Sequence, residues 1–115
     1  MISILVDEAY AFDILSILSI KQNNSTIDFN NYCRLCDLIT LQIGSDKFNT
    51  IFDSEEYFYL IDANQLIYDL IEEIRAGKQI SAEIIDDLNI LRYGYKRRIQ
   101  EKYFNTELME KKTNE

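Results

Sequence analysis

Two short acidic runs flank a glycine: Asp69-x-x-Glu72 with Glu73, then Glu83-x-x-Asp86, with Gly77 between them. A spacing of three or four residues sets oxygen ligands side by side on one helical face, and Mg²⁺ takes ligands of that kind, so the chemistry would be metal-assisted hydrolysis. In helical projection, however, Asp69, Glu72 and Glu73 fall opposite the apolar stripe of their own segment and face solvent, whereas carboxylates that hold a metal line an inner groove. Cys33 and Cys36 form a C-x-x-C. A structural zinc needs four ligands and one chain offers two, while a thiol-redox pair follows a strand and opens a helix. These two fall mid-helix between apolar neighbours, where cysteine packs as a small core residue. The third constellation is basic: Arg92, Lys96, Arg97, Arg98 and Lys102. Arg92, Lys96, Arg97 and Arg98 are candidate anion-binding residues; in the plainer reading they complement the negative end of a helix.

Composition narrows the chemistry further. The 115 residues contain no histidine, proline or tryptophan, which removes the commonest general base, the commonest zinc ligand and the Glu-x-x-His motif of di-iron bundles. No nucleophile with its base, complete metal site or phosphate loop can be assembled, no cofactor is expected, and the balance falls against an enzyme. Net charge is −8 and uneven: residues 1–91 hold five Lys/Arg against sixteen Asp/Glu, residues 92–115 seven against four. An acidic body repels a polyphosphate, so nucleic acid is disfavoured as a partner. No apolar run approaches the roughly 18 residues that span a bilayer, and the first residues lack a basic signal-peptide region, so no membrane partner and a cytoplasmic location are expected.

Hydrophobic spacing predicts an all-α, antiparallel bundle of three main helices plus a short one, over about 7–22, 27–43, 54–76 and 82–104. Residues 1–104 form a single helical domain and 105–115 a polar C-terminal tail. The first helix starts from Asp7 as N-cap and carries Tyr10, Ile14, Ile17 and Leu18 on one face, with Asp13, Ser16 and Ser19 opposite. The second repeats Phe29, Tyr32, Cys36, Ile39 and Ile43 before Gly44 stops it. Residues 45–53 suggest a short helical turn, and Asp53 with Glu56 reads as a capping box.

The third segment aligns Tyr57, Leu60, Ile61, Ile67, Tyr68, Ile71 and Ile74, interrupted by Asn64. A polar residue on such a seam either fixes register or oligomeric state, or caps a buried group. The last segment is capped by Ser81 and carries Ile84, Leu88, Leu91, Tyr95 and Ile99. Gly94 inside it costs about 1 kcal/mol against alanine, which implies a close backbone approach or a bend. Of eight tyrosines, Tyr10, Tyr32, Tyr57, Tyr68 and Tyr95 lie on apolar faces, where a ring either fills a core edge or faces an interface; with long apolar seams in so short a chain they point to a homodimer with room for a protein partner.

Two resemblances bear on function. Residues 6–21, VDEAYAFDILSILSIK, resemble the opening of a small bacterial helical family of unknown function that reads approximately V-S-x-G-E-L-x-D-K-I-S-I-L-E-I-K. Residues 64–75, NQLIYDLIEEIR, resemble its N-x-x-L-W-D-I-E-D-x-I-R segment, and residues 92–99 its closing basic stretch. Ala9, Ile14 and Tyr68 stand where that family has glycine, lysine and tryptophan. Its members are often encoded near polysaccharide-synthesis or glycosyltransferase functions, which implies an accessory role, and the matching positions imply a candidate polar cluster of Asp13, Lys21, Asn64, Asp69, Arg75 and Arg92. The acidic runs are similar to the paired motifs of the MazG-like all-α nucleotide pyrophosphohydrolases, with Ala76 where a further glutamate belongs; this implies the alternative of a Mg-dependent enzyme. The leading expectation is a non-catalytic helical interaction or accessory module that self-associates, and an anion-binding adaptor through residues 92–102 is a second alternative.

Overall fold

Side-chain caps open four of the five helices found among the described residues. A computed structural model describes residue 2 and residues 5–104; the expected tail at 105–115, and part of the lead-in before Asp7, lie outside the described residues. Helix α1 (Glu8–Lys21) starts where the Asp7 carboxylate accepts from the Tyr10 N–H at 2.7 Å. Helix α2 (Thr26–Ile43) starts at Ser25, whose hydroxyl accepts from the Asp28 N–H, and ends at Gly44, where φ is +90°. Helix α3 (Ser45–Phe52) follows at once and has no side-chain cap. Helix α4 (Glu55–Arg75) opens on Ser54 and is released by Gly77 at φ +96°; helix α5 (Ala82–Tyr103) opens on Ser81. Caps of this kind contribute about 1 kcal/mol each, and a positive φ is the conformation only glycine adopts without strain.

Three details depart from the sequence pattern. Residues 45–52 form a full two-turn helix that buries Phe48 and Ile51, so four long helices and a short one make the bundle. The cap of α4 is Ser54, because Asp53 is spent closing α3 through its own N–H to the Asn49 carbonyl. Glu56 therefore does not reach back; it crosses to α5, accepting from Lys102 Nζ at 2.7 Å and Tyr103 Oη at 3.4 Å.

The largest departure is the orientation of α1. Tyr10 and Ile14, on its expected inner face, are 39% and 37% exposed, while Phe12, Asp13, Leu15 and Ser16 are sealed. A helix apolar on nearly every side can be buried by either flank, and here the aromatic plug decides. Phe12 stacks on Phe48 of α3 at 5.9 Å and meets Tyr57 of α4 edge-on at 5.7 Å; Ile39, Ile51, Leu60 and Ile99 complete the core. Asp13 and Ser16 are buried along with that flank.

Contacts fix the helix directions. Ala9 and Asp13 meet Gln100 and Arg92, so α1 and α5 run antiparallel; Glu56 meets Lys102, so α4 and α5 do too. α1 has 14 residues, about 21 Å, against 21 and 22 residues in α4 and α5, about 32 Å. The α4–α5 hairpin therefore overhangs. Beyond Asn64 in α4, and before Lys96 in α5, no residue is fully buried, and Ile67, Leu70, Ile71, Ile85 and Leu88 line an open apolar cleft between the two helices. No described helix is long and apolar enough to cross a membrane.

Candidate functional site

Asp13 is a carboxylate in the interior, its side chain 2% exposed, and two other helices supply its partners. From α5, Arg92 donates through Nε to both oxygens at 3.1 and 3.2 Å and through one terminal nitrogen to Oδ2 at 2.6 Å. One turn further along α5, Lys96 places Nζ 3.7 Å from Oδ2 and 5.3 Å from the centre of the Tyr10 ring. From α4, Asn64 donates through Nδ2 to Asp13 Oδ1 at 2.9 Å and to Ser16 Oγ at 2.6 Å. Ser16 in turn donates to the Asp13 carbonyl. Asn64, the residue that breaks the apolar stripe of α4, thus faces the core of its own chain.

Burial alone disfavours the charged form of Asp13. The Arg92 and Asn64 hydrogen bonds and the charges of Arg92 and Lys96 outweigh it, holding the carboxyl below its ordinary value of 3.8. A group so held neither gives nor takes a proton near neutrality. Gln100 extends the network at the end of the bundle: its Oε1 accepts the Ala9 N–H at 2.9 Å, satisfying one of the open donors in the first turn of α1, and its Nε2 donates to Glu8. The cluster clamps three helices in one register. Removing one member of such a set leaves an uncompensated charge inside, which is why it specifies an arrangement more than it adds net stability.

Of the candidate polar positions, the structure brings together Asp13, Asn64 and Arg92. Lys21 lies at the far end of α1. Asp69 accepts from Gln65 on the surface, and Arg75 pairs with Glu72 at 3.1 Å in solvent. The candidate anion-binding residues are likewise divided. Arg92 and Lys96 share the inner face by their spacing of one turn and are turned onto Asp13; Arg97 donates to Glu101 at 2.9 Å and to Tyr93 Oη, and Arg98 lies over the Tyr95 ring. The run is therefore two surfaces, one interior and one exterior.

Ser16, Gln100 and the inward Lys96 were missed by reasoning from the sequence. The available signal was that α1 is apolar nearly all round apart from Asp13 and Ser16, so a buried α1 must bring polar partners to both.

The remaining constellations are dispersed. Glu72 and Glu73 are engaged by Arg75 and Lys78, and no three His, Cys, Asp or Glu side chains among the described residues are grouped to hold a metal ion. Cys33 and Cys36 are free thiols on α2; burial pushes Cys36 up, away from the thiolate a redox cysteine needs. Tyr57 carries the one buried side-chain polar atom with no hydrogen-bond partner among the described residues, and burial raises its pKa. Its hydroxyl sits inside the aromatic core. Protein-family models, curated proteins and solved structures give no match to this chain.

Proposed function

We propose that this protein is a non-catalytic helical interaction module that associates with itself through helix faces its own core leaves uncovered. The observation that supports the reading is the overhanging half of the α4–α5 hairpin, where Leu66, Ile71, Ile74, Ile84, Ile90 and Leu91 are each between 41% and 51% exposed. Large apolar side chains left half-exposed on one end of a hairpin are what sites of association use. The interior polar cluster supports it from the other side: Asp13 is tied to Arg92 and Asn64 and has no proton to trade, so the cluster holds a scaffold. An accessory role beside polysaccharide-synthesis enzymes, which the family resemblance implies, suits a module without chemistry of its own. We place it in the cytoplasm, in keeping with its two free thiols.

Solution mass by light scattering tests the proposal. A species of about twice the 13.6 kDa chain mass is expected. A monomer at every concentration up to the millimolar range overturns self-association.

A further inference from the structure

We infer that the self-association surface is the outward face of α5, paired antiparallel with α5 of a second copy about a two-fold axis between Leu91 and Gly94. This inference rests on the self-association proposed above.

Gly94 is the first observation. It lies in the interior of an unbroken helix, where glycine weakens the helix relative to alanine, yet a Cβ built there would meet nothing within 4 Å. No neighbour among the described residues accounts for the missing side chain. A glycine on an outward helix face lets another backbone come close, and the space in front of it is open.

The side chains around it are the second observation. Within one turn on either side, the same outward face carries Ile90 and Leu91, 51% and 43% exposed, and beyond them Asp87 and Arg98. Arg98 is exposed over the ring of Tyr95, and Asp87 is exposed with no ion pair among the described residues.

The third observation is the order of charge along α5. Residues 83–91 carry Glu83, Asp86 and Asp87 and no cation; after Gly94, Lys96 is turned inward onto Asp13, Arg97 is engaged by Glu101 and Lys102 by Glu56, and Arg98 is the exposed cation on the outward face. A parallel neighbour would face like with like. An antiparallel copy reverses the order, so the acidic start of the outward face of each helix meets Arg98 of the other. The register that sets Leu91 into the gap at the partner's Gly94 sets Asp87, one turn outward, opposite the partner's Arg98. Two-fold symmetry makes each contact twice. Within the overhang the α4 side is the poorer partner for itself, because Asp69, Glu72 and Glu73 outnumber Arg75 there, whereas the exposed Ile90 and Leu91 lie on α5.

The test is a charge swap read by sedimentation equilibrium on the full chain, with circular dichroism as the check on folding. Asp87→Arg and Arg98→Asp, each alone, replace two attractions by two repulsions and are expected to weaken the dimer about tenfold, and the double variant to return within about threefold of the native constant. Gly94→Leu supplies a second readout, since open space lets the monomer accept it with an unchanged helical spectrum while the added side chain blocks the approach. A native dimer that ignores the single swaps and Gly94→Leu overturns this face and leaves self-association standing. Single swaps that weaken the dimer without rescue by the double variant overturn the pairing of Asp87 with Arg98. A native monomer overturns both proposals.

Discussion

Arg92 holds Asp13 through two of its nitrogens across 79 residues of chain, so α1 and α5 are joined by a charged contact whose acid is sealed and whose guanidinium side chain is 30% exposed. Because the acid is interior and its two cations come from one side of α5, the contact sets both the distance and the rotation of α1 against the α4–α5 pair.

Replacing Asp13 by asparagine keeps the shape and removes the charge that Arg92 and Lys96 both face. Urea unfolding at pH 7 should show a loss of about 3 kcal/mol. The variant also gives the sign of the acid dependence. The folded carboxyl titrates below 3.8 and the unfolded one near it, so as pH falls the unfolded chain binds its proton first. The stability from Asp13 is therefore complete above the unfolded value and drains away as pH falls through the folded one, and the gap between native protein and Asp13→Asn should close over that interval.

Asn64→Leu should cost about 2 kcal/mol, because Asp13 and Ser16 each lose a donor they cannot replace from water. Its solution mass should equal that of the native chain, since the side chain points into its own core. A change of mass without a change of unfolding midpoint would place Asn64 at an interface instead.

Tyr57→Phe removes a hydroxyl that has no partner and leaves the ring that Phe12 and Phe52 pack against. The expected outcome is a gain of about 1 kcal/mol in denaturant unfolding, the reverse of the usual effect of a core substitution.

Gln100→Leu fills the same space but strips the Ala9 N–H of its acceptor. Amide exchange at Ala9 should quicken by at least about tenfold while exchange in the middle of α4 stays within the change set by global stability, a loss of about 1 kcal/mol.

The fold was legible where local chemistry decides it. Asp7, Ser81, Gly44 and Gly77 mark helix ends because capping and positive φ depend on neighbours a few residues away, and the four long helices begin and end close to those marks. The α4 cap slipped from Asp53 to Ser54 because α3 proved long enough to claim Asp53. The candidate cluster was legible only in pieces. Asp13 looked like the wet side of α1, since Tyr10, Ile14, Ile17 and Leu18 make a convincing stripe; its burial depends on Arg92, Asn64 and the Phe12–Phe48 stack, all distant in sequence. Lys96 looked like part of a basic surface for the same reason. Gly94 was legible as an anomaly, and the structure sharpens it, since no neighbour among the described residues lies within 4 Å of the place a Cβ would take.

The span between Ala9 and Gln100 has a consequence for the order of events during synthesis. α1 leaves the ribosome first, at about 5 to 20 residues per second, with Phe12 and Leu15 needing α3 and α4 and with Asp13 and the Ala9 N–H needing groups on α5. Until Arg92 and Gln100 have emerged, the first helix has a carboxylate without its cations and an apolar flank without its full cover. The early chain must therefore wait for nearly the whole domain, and the closing of the polar clamp is set by the arrival of its last helix.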